Sequence, residues 1–340
     1  MTQERERQVR GVPMDEGRRE EPGRPRLGSW KSLIPLTVAA TAALFVAGGV
    51  DVVHRHQRAA KEEHAAEPAA KAEQTDPRFA VGITGAGTAL IVRDVHTGAD
   101  VGLPVAPPQD RRFHRVAAAK DGSYIVASYG DGEVAFQRLH LGDDGRPQDL
   151  KDIPKATVAG VSTSWSDIAV TGDRLAYVTY KGKRGRVDVL TLSSGAHKTW
   201  TTKAQGRVGS LSWAGDTLSF VWTPAGSAKH QLRTIDTSAA AGDLKLSKAV
   251  MTLPEGGTSA VLTRDGEQAV VGTVAGSELT VQTFSLTGKP GKVLWHQKVT
   301  GPLTDLDAAH GSGAVLATAG DLYANGLPTV PGKDLADATW

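Results

Sequence analysis

The sequence predicts an all-β fold, a six-bladed β-propeller preceded by a single transmembrane helix. Three observations lead to this prediction. An uncharged apolar run lies near the N-terminus, a strand–turn–strand unit recurs five times along the rest of the chain, and the two ends of that repeating region each supply part of one further unit. A seven-bladed ring is the alternative that the pattern leaves open.

Composition narrows the classes of function. The chain has 340 residues, of which 40% are hydrophobic and 22% charged, as in globular proteins. It contains no cysteine, which excludes disulfides, thiolate metal sites and thiol nucleophiles. The net charge is only +2, and the one basic run, residues 180–188, lacks stacking aromatic residues beyond Tyr180. We therefore expect no nucleic-acid partner.

The N-terminal region reads as a tail followed by a membrane anchor. Residues 1–31 carry eight basic and six acidic residues with almost nothing apolar to bury, which predicts disorder. Residues 33–50 are uncharged and would span about 27 Å as a helix, close to the thickness of a hydrocarbon core. We predict an uncleaved signal anchor over residues 32–53. A cleaved signal peptide and a buried helix are the alternatives.

The topology follows from the flanking charges. Five basic residues precede the apolar run closely and four follow it, which favours a cytoplasmic N-terminus. Residues 54–77, rich in Ala, Glu and Lys, then form a stalk, and residues 78–340 form the propeller. The predicted location is the cell membrane, with a single crossing and the propeller outside the cytoplasm.

The propeller prediction rests on a repeat. Each of five segments is a small-residue strand, a glycine-containing turn and a more apolar strand; they span residues 114–129, 165–180, 208–223, 258–273 and 303–319. Their turn glycines, Gly122, Gly172, Gly215, Gly266 and Gly311, are 50, 43, 51 and 45 residues apart. A repeat of about 40–50 residues built from four short strands is typical of propeller blades.

A sixth blade is predicted to combine the two ends of the region. Residues 79–105 supply three strands of a blade without its leading small-residue strand, and "DLADATW", residues 334–340, is a strand of that missing type. Joining the two would close the ring and remove the unpaired edges of an open stack of sheets.

Taken together, "KDGSYIVAS", "TRDGEQAVV" and the hairpin "DVHTGADV" resemble extracytoplasmic β-propellers of the TolB-like and YVTN or lactonase-like kind, and more loosely WD-repeat proteins. The combination of tail, anchor and propeller is similar to membrane-anchored propellers of actinobacteria. The resemblance covers roughly residues 79–340 and implies fold and location rather than an activity.

Four acidic residues are the candidate ligand-binding groups. Asp305 and Asp307 share one face of a strand, opposite Leu306, and Asp167 and Asp337 are predicted to lie on other innermost strands. Such carboxylates at the channel mouth could hold a hard cation such as calcium. A hydrated polar rim is the favoured interpretation, so we predict a weak ligand site and no bound metal or cofactor.

No motif commits the chain to a reaction. His310 lies near Asp305 and Asp307 and could act as a general base, but its position in a turn predicts solvent exposure. Neither a nucleophile elbow nor a phosphate-binding loop is present. We predict no catalytic residue and a noncatalytic module that binds or scaffolds a protein or cell-envelope ligand. A metal-dependent, lactonase-type hydrolase and an envelope signalling subunit are the alternatives.

Overall fold

A computed structural model describes residues 77–310 and 313–340. The predicted tail and anchor, nearly all of the stalk, and Gly311 lie outside the described residues. Within the described part of the chain, none of the helices combines the length and the apolar character needed to cross a membrane.

The described residues form 22 strands and one short 3-10 helix, Leu244–Leu246. Numbered in chain order, the strands are β1 (Phe79–Thr84), β2 (Leu90–Asp94), β3 (Arg112–Ala118), β4 (Tyr124–Gly130), β5 (Glu133–Leu141), β6 (Pro147–Ala159), β7 (Ile168–Thr171), β8 (Arg174–Lys181), β9 (Arg184–Thr191), β10 (His197–Thr201), β11 (Gly206–Ala214), β12 (Thr217–Pro224), β13 (Gln231–Asp236), β14 (Lys248–Thr252), β15 (Gly257–Leu262), β16 (Gln268–Ala275), β17 (Glu278–Ser285), β18 (Pro290–Lys298), β19 (Asp305–Ala308), β20 (Val315–Ala319), β21 (Asp321–Ala324) and β22 (Leu335–Thr339).

These strands make six antiparallel sheets arranged as a six-bladed propeller, as predicted. Four blades have four strands in simple succession, β3–β6, β7–β10, β11–β14 and β15–β18, and a fifth has three, β19–β21. The remaining sheet has the order β2-β1-β22. In five blades the first strand is innermost, and in the sheet β2-β1-β22 the innermost strand is β22. Successive innermost strands contact one another in the order β22, β3, β7, β11, β15 and β19.

The C-terminal strand closes the ring, which confirms the predicted closure. β22 pairs antiparallel with β1, with Val81 opposite Thr339 and Ile83 opposite Asp337. The predicted third strand of this blade was wrong. Beyond β2 the chain makes only two isolated bridges, Leu90 with Val105 and Arg93 with Asp100. Three prolines in residues 104–108 lack the N–H groups that a continuous ladder requires.

The core of the protein lies between the blades. Six hydrophobic clusters fill the six spaces between neighbouring blades, and each draws side chains from two adjacent sheets. The second strand of each blade reads as nearly continuous apolar sequence because alternate residues face different neighbours. In β8, Tyr177 packs edge-on against Phe136 of the preceding blade, with ring centroids 5.3 Å apart, whereas Val178 packs toward the following blade.

In the blades β3–β6, β7–β10, β11–β14 and β15–β18, the turns that join the first and second strands lie at one end of the ring, which we call the turn end. At Gly122 and Gly172 the backbone has φ of 80° and 53°. Glycine adopts this left-handed conformation without the steric cost that a Cβ would bring. The predicted turn glycines therefore mark real chain reversals at these two positions.

Candidate functional site

A cavity of about 650 Å³ occupies the centre of the ring. All six innermost strands, or the residues adjoining them, contribute to its lining. Exposed Lys120 and Arg264 lie on its mouth at the turn end. Its volume falls within the range of about 300–1,000 Å³ that small-ligand sites occupy.

The predicted acidic residues gather at this channel. Asp167, Asp305 and Asp307 line the cavity, and Leu306 packs into the core between blades as the strand alternation predicted. Asp337 lies beside them on β22 with only 8% of its side chain exposed. Asp167 lies one residue before β7 rather than within it.

Three of the four carboxylates join neighbouring blades. The Val116 N–H donates to Asp337 Oδ2 at 2.7 Å and the Leu211 N–H donates to Asp167 Oδ2 at 2.8 Å. Asp307 Oδ2 accepts from the Trp340 N–H at 3.2 Å and from the Thr339 hydroxyl. An innermost strand has a sheet partner on one edge only, so N–H groups on its other edge need acceptors. These aspartates supply them from the adjacent blade.

The sequence analysis missed the basic residue in this group. Arg115, on β3, is 13% exposed, and its guanidinium lies 4.0 Å from Asp337 Oδ1. Its N–H groups donate to the backbone carbonyls of Ser166, Ser164 at 2.6 Å and His114 at 2.9 Å. Arg115 therefore ties blade β3–β6 to the loop that leads into β7. The sequence feature that could have identified Arg115 is a basic residue within a strand that was predicted to be innermost and rich in small residues.

The electrostatics of the channel are dominated by buried carboxyl groups. Burial, together with the charges of Asp167, Asp337 and Asp307, raises the pKa of Asp305 well above its usual range. Burial also raises the pKa of Asp337 to about 6, partly opposed by Arg115. The pKa values of Asp307 and Asp167 are raised for the same primary reason. Arg115 opposes this effect at Asp305, Asp167 and Asp337, Arg207 also opposes it at Asp167, and His310 opposes it at Asp307.

His310 lies in a turn, as predicted, but it is not exposed as expected. It is half-buried on the cavity lining, and its Nε2 lies 3.0 Å from the carbonyl oxygen of Ala118. A carbonyl can only accept, so Nε2 carries the proton and donates. That nitrogen is engaged in a contact between blades, and the lone pair of the neutral ring is then on Nδ1.

A calcium site was one interpretation of the acidic residues. In residues 77–310 and 313–340, no group of three His, Asp or Glu side chains is placed to hold a metal ion. The oxygens of Asp167, Asp307 and Asp337 that were proposed as ligands accept hydrogen bonds from backbone N–H groups.

Comparisons with known proteins bear on the fold alone. No family model and no curated protein matches the chain. A chain of the nidogen–laminin complex is 8% identical with a TM-score of 0.50, covering 77% of this chain and 97% of that one. TolB from Acinetobacter baumannii is 12% identical with a TM-score of 0.49 over 76% of this chain, which spans only 64% of TolB. A putative 6-phosphogluconolactonase from Bacteroides uniformis is 12% identical with a TM-score of 0.45, covering 77% and 98%.

Proposed function

We propose that this chain is a membrane-tethered, extracytoplasmic propeller that binds a protein or cell-envelope ligand in its central cavity without converting it. The observation that carries the proposal is the cavity of about 650 Å³ lined from all six blades. Its lining combines apolar and polar surface in similar amounts, and a concave site with converging polar groups is typical of binding sites. The cavity opens at the turn end, where the exposed side chains of Lys120 and Arg264 can meet a ligand.

A binding role agrees with how the polar groups of the channel are used. Asp167, Asp307 and Asp337 accept backbone hydrogen bonds between blades, and His310 Nε2 donates to a carbonyl. These groups hold the ring together. Groups engaged in these bonds between blades are less free than a catalytic base to exchange a proton with a substrate.

Filling the cavity tests the binding role. Ala308, on β19, adjoins both the cavity and the core cluster between blades, and Ala308→Leu would add bulk at the cavity lining. Cells producing the full-length chain would be treated with a crosslinker, and the covalent adducts of wild type and variant compared. We expect a specific adduct that Ala308→Leu abolishes and that a substitution at exposed Ala240, Ala240→Leu, preserves.

Two results would contradict the proposal. An adduct that survives Ala308→Leu, in a variant with an unchanged unfolding midpoint, would place the ligand elsewhere. Hydrolysis of a panel of lactones by the full-length chain, lost in Ala308→Leu, would make the protein an enzyme.

The tethering proposal rests on the uncharged run at residues 33–50. Because the natural chain lacks cysteine, single cysteines can be placed without background. We expect a membrane-impermeant maleimide to label Ala240→Cys in intact spheroplasts and to label Thr2→Cys only after permeabilisation. The reverse pattern would invert the topology, and recovery of the full-length chain in the soluble fraction would refute tethering.

A further inference from the structure

Asp305 differs from the other three carboxylates of the channel. Asp167, Asp307 and Asp337 each accept an N–H from an adjacent blade, whereas Asp305 accepts only from Leu306, the next residue in its own strand, at 2.8 Å. Asp305 therefore makes no hydrogen bond between blades. Its side chain lines the cavity, and that is where its partial exposure arises. The hydrogen bonds between blades therefore do not explain why an ionisable residue occupies this position.

The charge around Asp305 is unbalanced. Asp167 faces it from the start of β7, Asp307 from its own strand β19, Asp337 from β22 and Arg115 from β3. The lining residues of β11 and β15 are Leu211, Ser212, Trp213, Val261 and Leu262, none of which carries a charge. Arg115 already donates to three backbone carbonyls. Lys120 and Arg264 lie at the exposed mouth, where solvent screens their charges.

The walls of the cavity suit an aliphatic stem. Val170, Leu211, Val261 and Val315 contribute apolar surface to its lining, although the side chain of each also packs in a cluster between blades. A long cationic side chain buries its methylene groups along apolar surface and keeps its charged end with polar partners. Here the polar partners are at the inner end of the channel instead of in bulk solvent.

We propose that the cavity binds an ammonium or guanidinium group against Asp305 and Asp167, with the aliphatic part of the ligand along the apolar walls. This inference rests on the proposed function and names its ligand class. A cation placed there would add positive charge beside Asp305, whose ionised form is opposed by three carboxyl groups and favoured by Arg115. Asp305 Oδ2, the oxygen that does not accept from Leu306, would accept an N–H of the ligand.

The proposal has a definite pH dependence. Without ligand, burial and neighbouring carboxylates favour the protonated form of Asp305 by raising its pKa. A bound cation favours the ionised form, so binding releases a proton. Affinity should rise with pH, by up to about tenfold per pH unit below the pKa of the free protein, and level off above it. The linked groups Asp167, Asp307 and Asp337 would broaden this transition.

Isothermal titration calorimetry of the full-length chain in detergent would test the proposal at pH 6, 7 and 8. The probes are an acetylated, amidated Ala-Lys-Ala peptide, the same peptide with Nε-acetyllysine, cadaverine, diacetylcadaverine and calcium chloride. The peptide and cadaverine separate a protein side chain from a free polyamine as the source of the cation. Asp305→Asn removes the charge and keeps the shape, and Glu267→Gln removes an exposed charge at the turn end of the ring.

We expect at least one amine to bind wild type and its acetylated counterpart to bind at least about tenfold more weakly. Asp305→Asn should reduce the affinity for that amine by a similar factor and remove the pH dependence of binding. Glu267→Gln should stay within about twofold of wild type. Binding of neither amine, equal binding of the acetylated forms, or Asp305-dependent binding of calcium alone would overturn the inference. In each of those cases the crosslinked adduct abolished by Ala308→Leu would still support a binding module.

Discussion

Arg93 and Asp334 form a two-point ion pair between residues 241 positions apart in the chain, with Nη1–Oδ1 and Nη2–Oδ2 distances of 2.9 and 2.6 Å. Arg93 belongs to β2, and Asp334 immediately precedes β22. The Arg93 guanidinium also donates to the carbonyl of Pro331 and to Asp100 Oδ1 at 2.8 Å. The pair fastens the start of the closing strand to the outer side of its own blade, and it lowers the pKa of Asp334.

Removing this pair should weaken ring closure. We expect Arg93→Met to lower the free energy of unfolding by about 1–2 kcal/mol, because the bidentate contact and the buried donors are lost together. Half-exposed Asp334 returns to solvent, which limits the loss. Urea unfolding measures the change. Arg146→Met, which removes a surface pair with Asp144 at 3.4 Å, should cost less than about 0.5 kcal/mol. Equal losses in the two variants would show that the Arg93 contact adds nothing to closure.

Deleting residues 334–340 should have a much larger effect. The deletion leaves β1 unpaired along one edge, removes the Asp337 acceptor of the Val116 N–H, and exposes the cluster that contains Ala338 and Trp340. We expect loss of the cooperative thermal transition, or a midpoint lower by more than about 10 °C. Circular dichroism would follow it. A truncated chain that melts within a degree or two of the intact one would show that β22 is not needed for closure.

Trp340 gives a finer measurement of the same cluster. Its side chain is 4% exposed, and its indole N–H is one of three buried side-chain polar atoms without a partner in the described residues. Trp340→Ala should cost about 3–5 kcal/mol through lost burial and a cavity. Trp340→Phe should cost less than about 1.5 kcal/mol, because it keeps an aromatic ring and removes the unpaired donor. Similar losses for both variants would mean that the N–H has a partner in solution.

The channel carboxyls predict an unusual dependence of stability on pH. Asp337 has a folded pKa of about 6, above its unfolded value, so its contribution is complete below pH 4 and is lost as pH rises through 6. The raised pKa of Asp305 acts in the same direction. We expect the thermal midpoint to rise by roughly 4 °C or more from pH 7.5 to pH 5. Below about pH 4 it should fall, because carboxyls with lowered pKa values, such as Asp334 and Asp121, become protonated.

Asp305→Asn supplies the control for this pH dependence. Asparagine mimics the protonated acid, so the variant should melt above wild type at pH 7.5 and gain less on acidification. Glu267→Gln should follow the wild-type profile. A wild-type midpoint that falls steadily from pH 7.5 to pH 5 would contradict the raised pKa values in the channel.

The repeating part of the fold could be predicted because it is local. The small-residue strand, the turn glycine and the apolar strand lie within about 16 residues, and burial on both faces makes the second strand apolar. The role of each channel residue could not be predicted in this way. Asp167 and Asp305 occupy similar places in their repeats, and only the adjacent blade decides that the Leu211 N–H meets Asp167 while Asp305 meets no such donor. Arg115 precedes Asp305 by 190 positions in the sequence. No short sequence pattern indicates that the charge of Arg115 acts on the Asp305 carboxyl group.

The pairing of β1 with β22 also has a consequence for how the protein is made. The ribosome produces β1 before every other described strand and β22 after all of them, so the edge of β1 that β22 will cover stays bare during most of synthesis. Pairing of segments so far apart in the chain is slow. The growing polypeptide would therefore present an unpaired strand edge that can associate with other chains until the final strand is made.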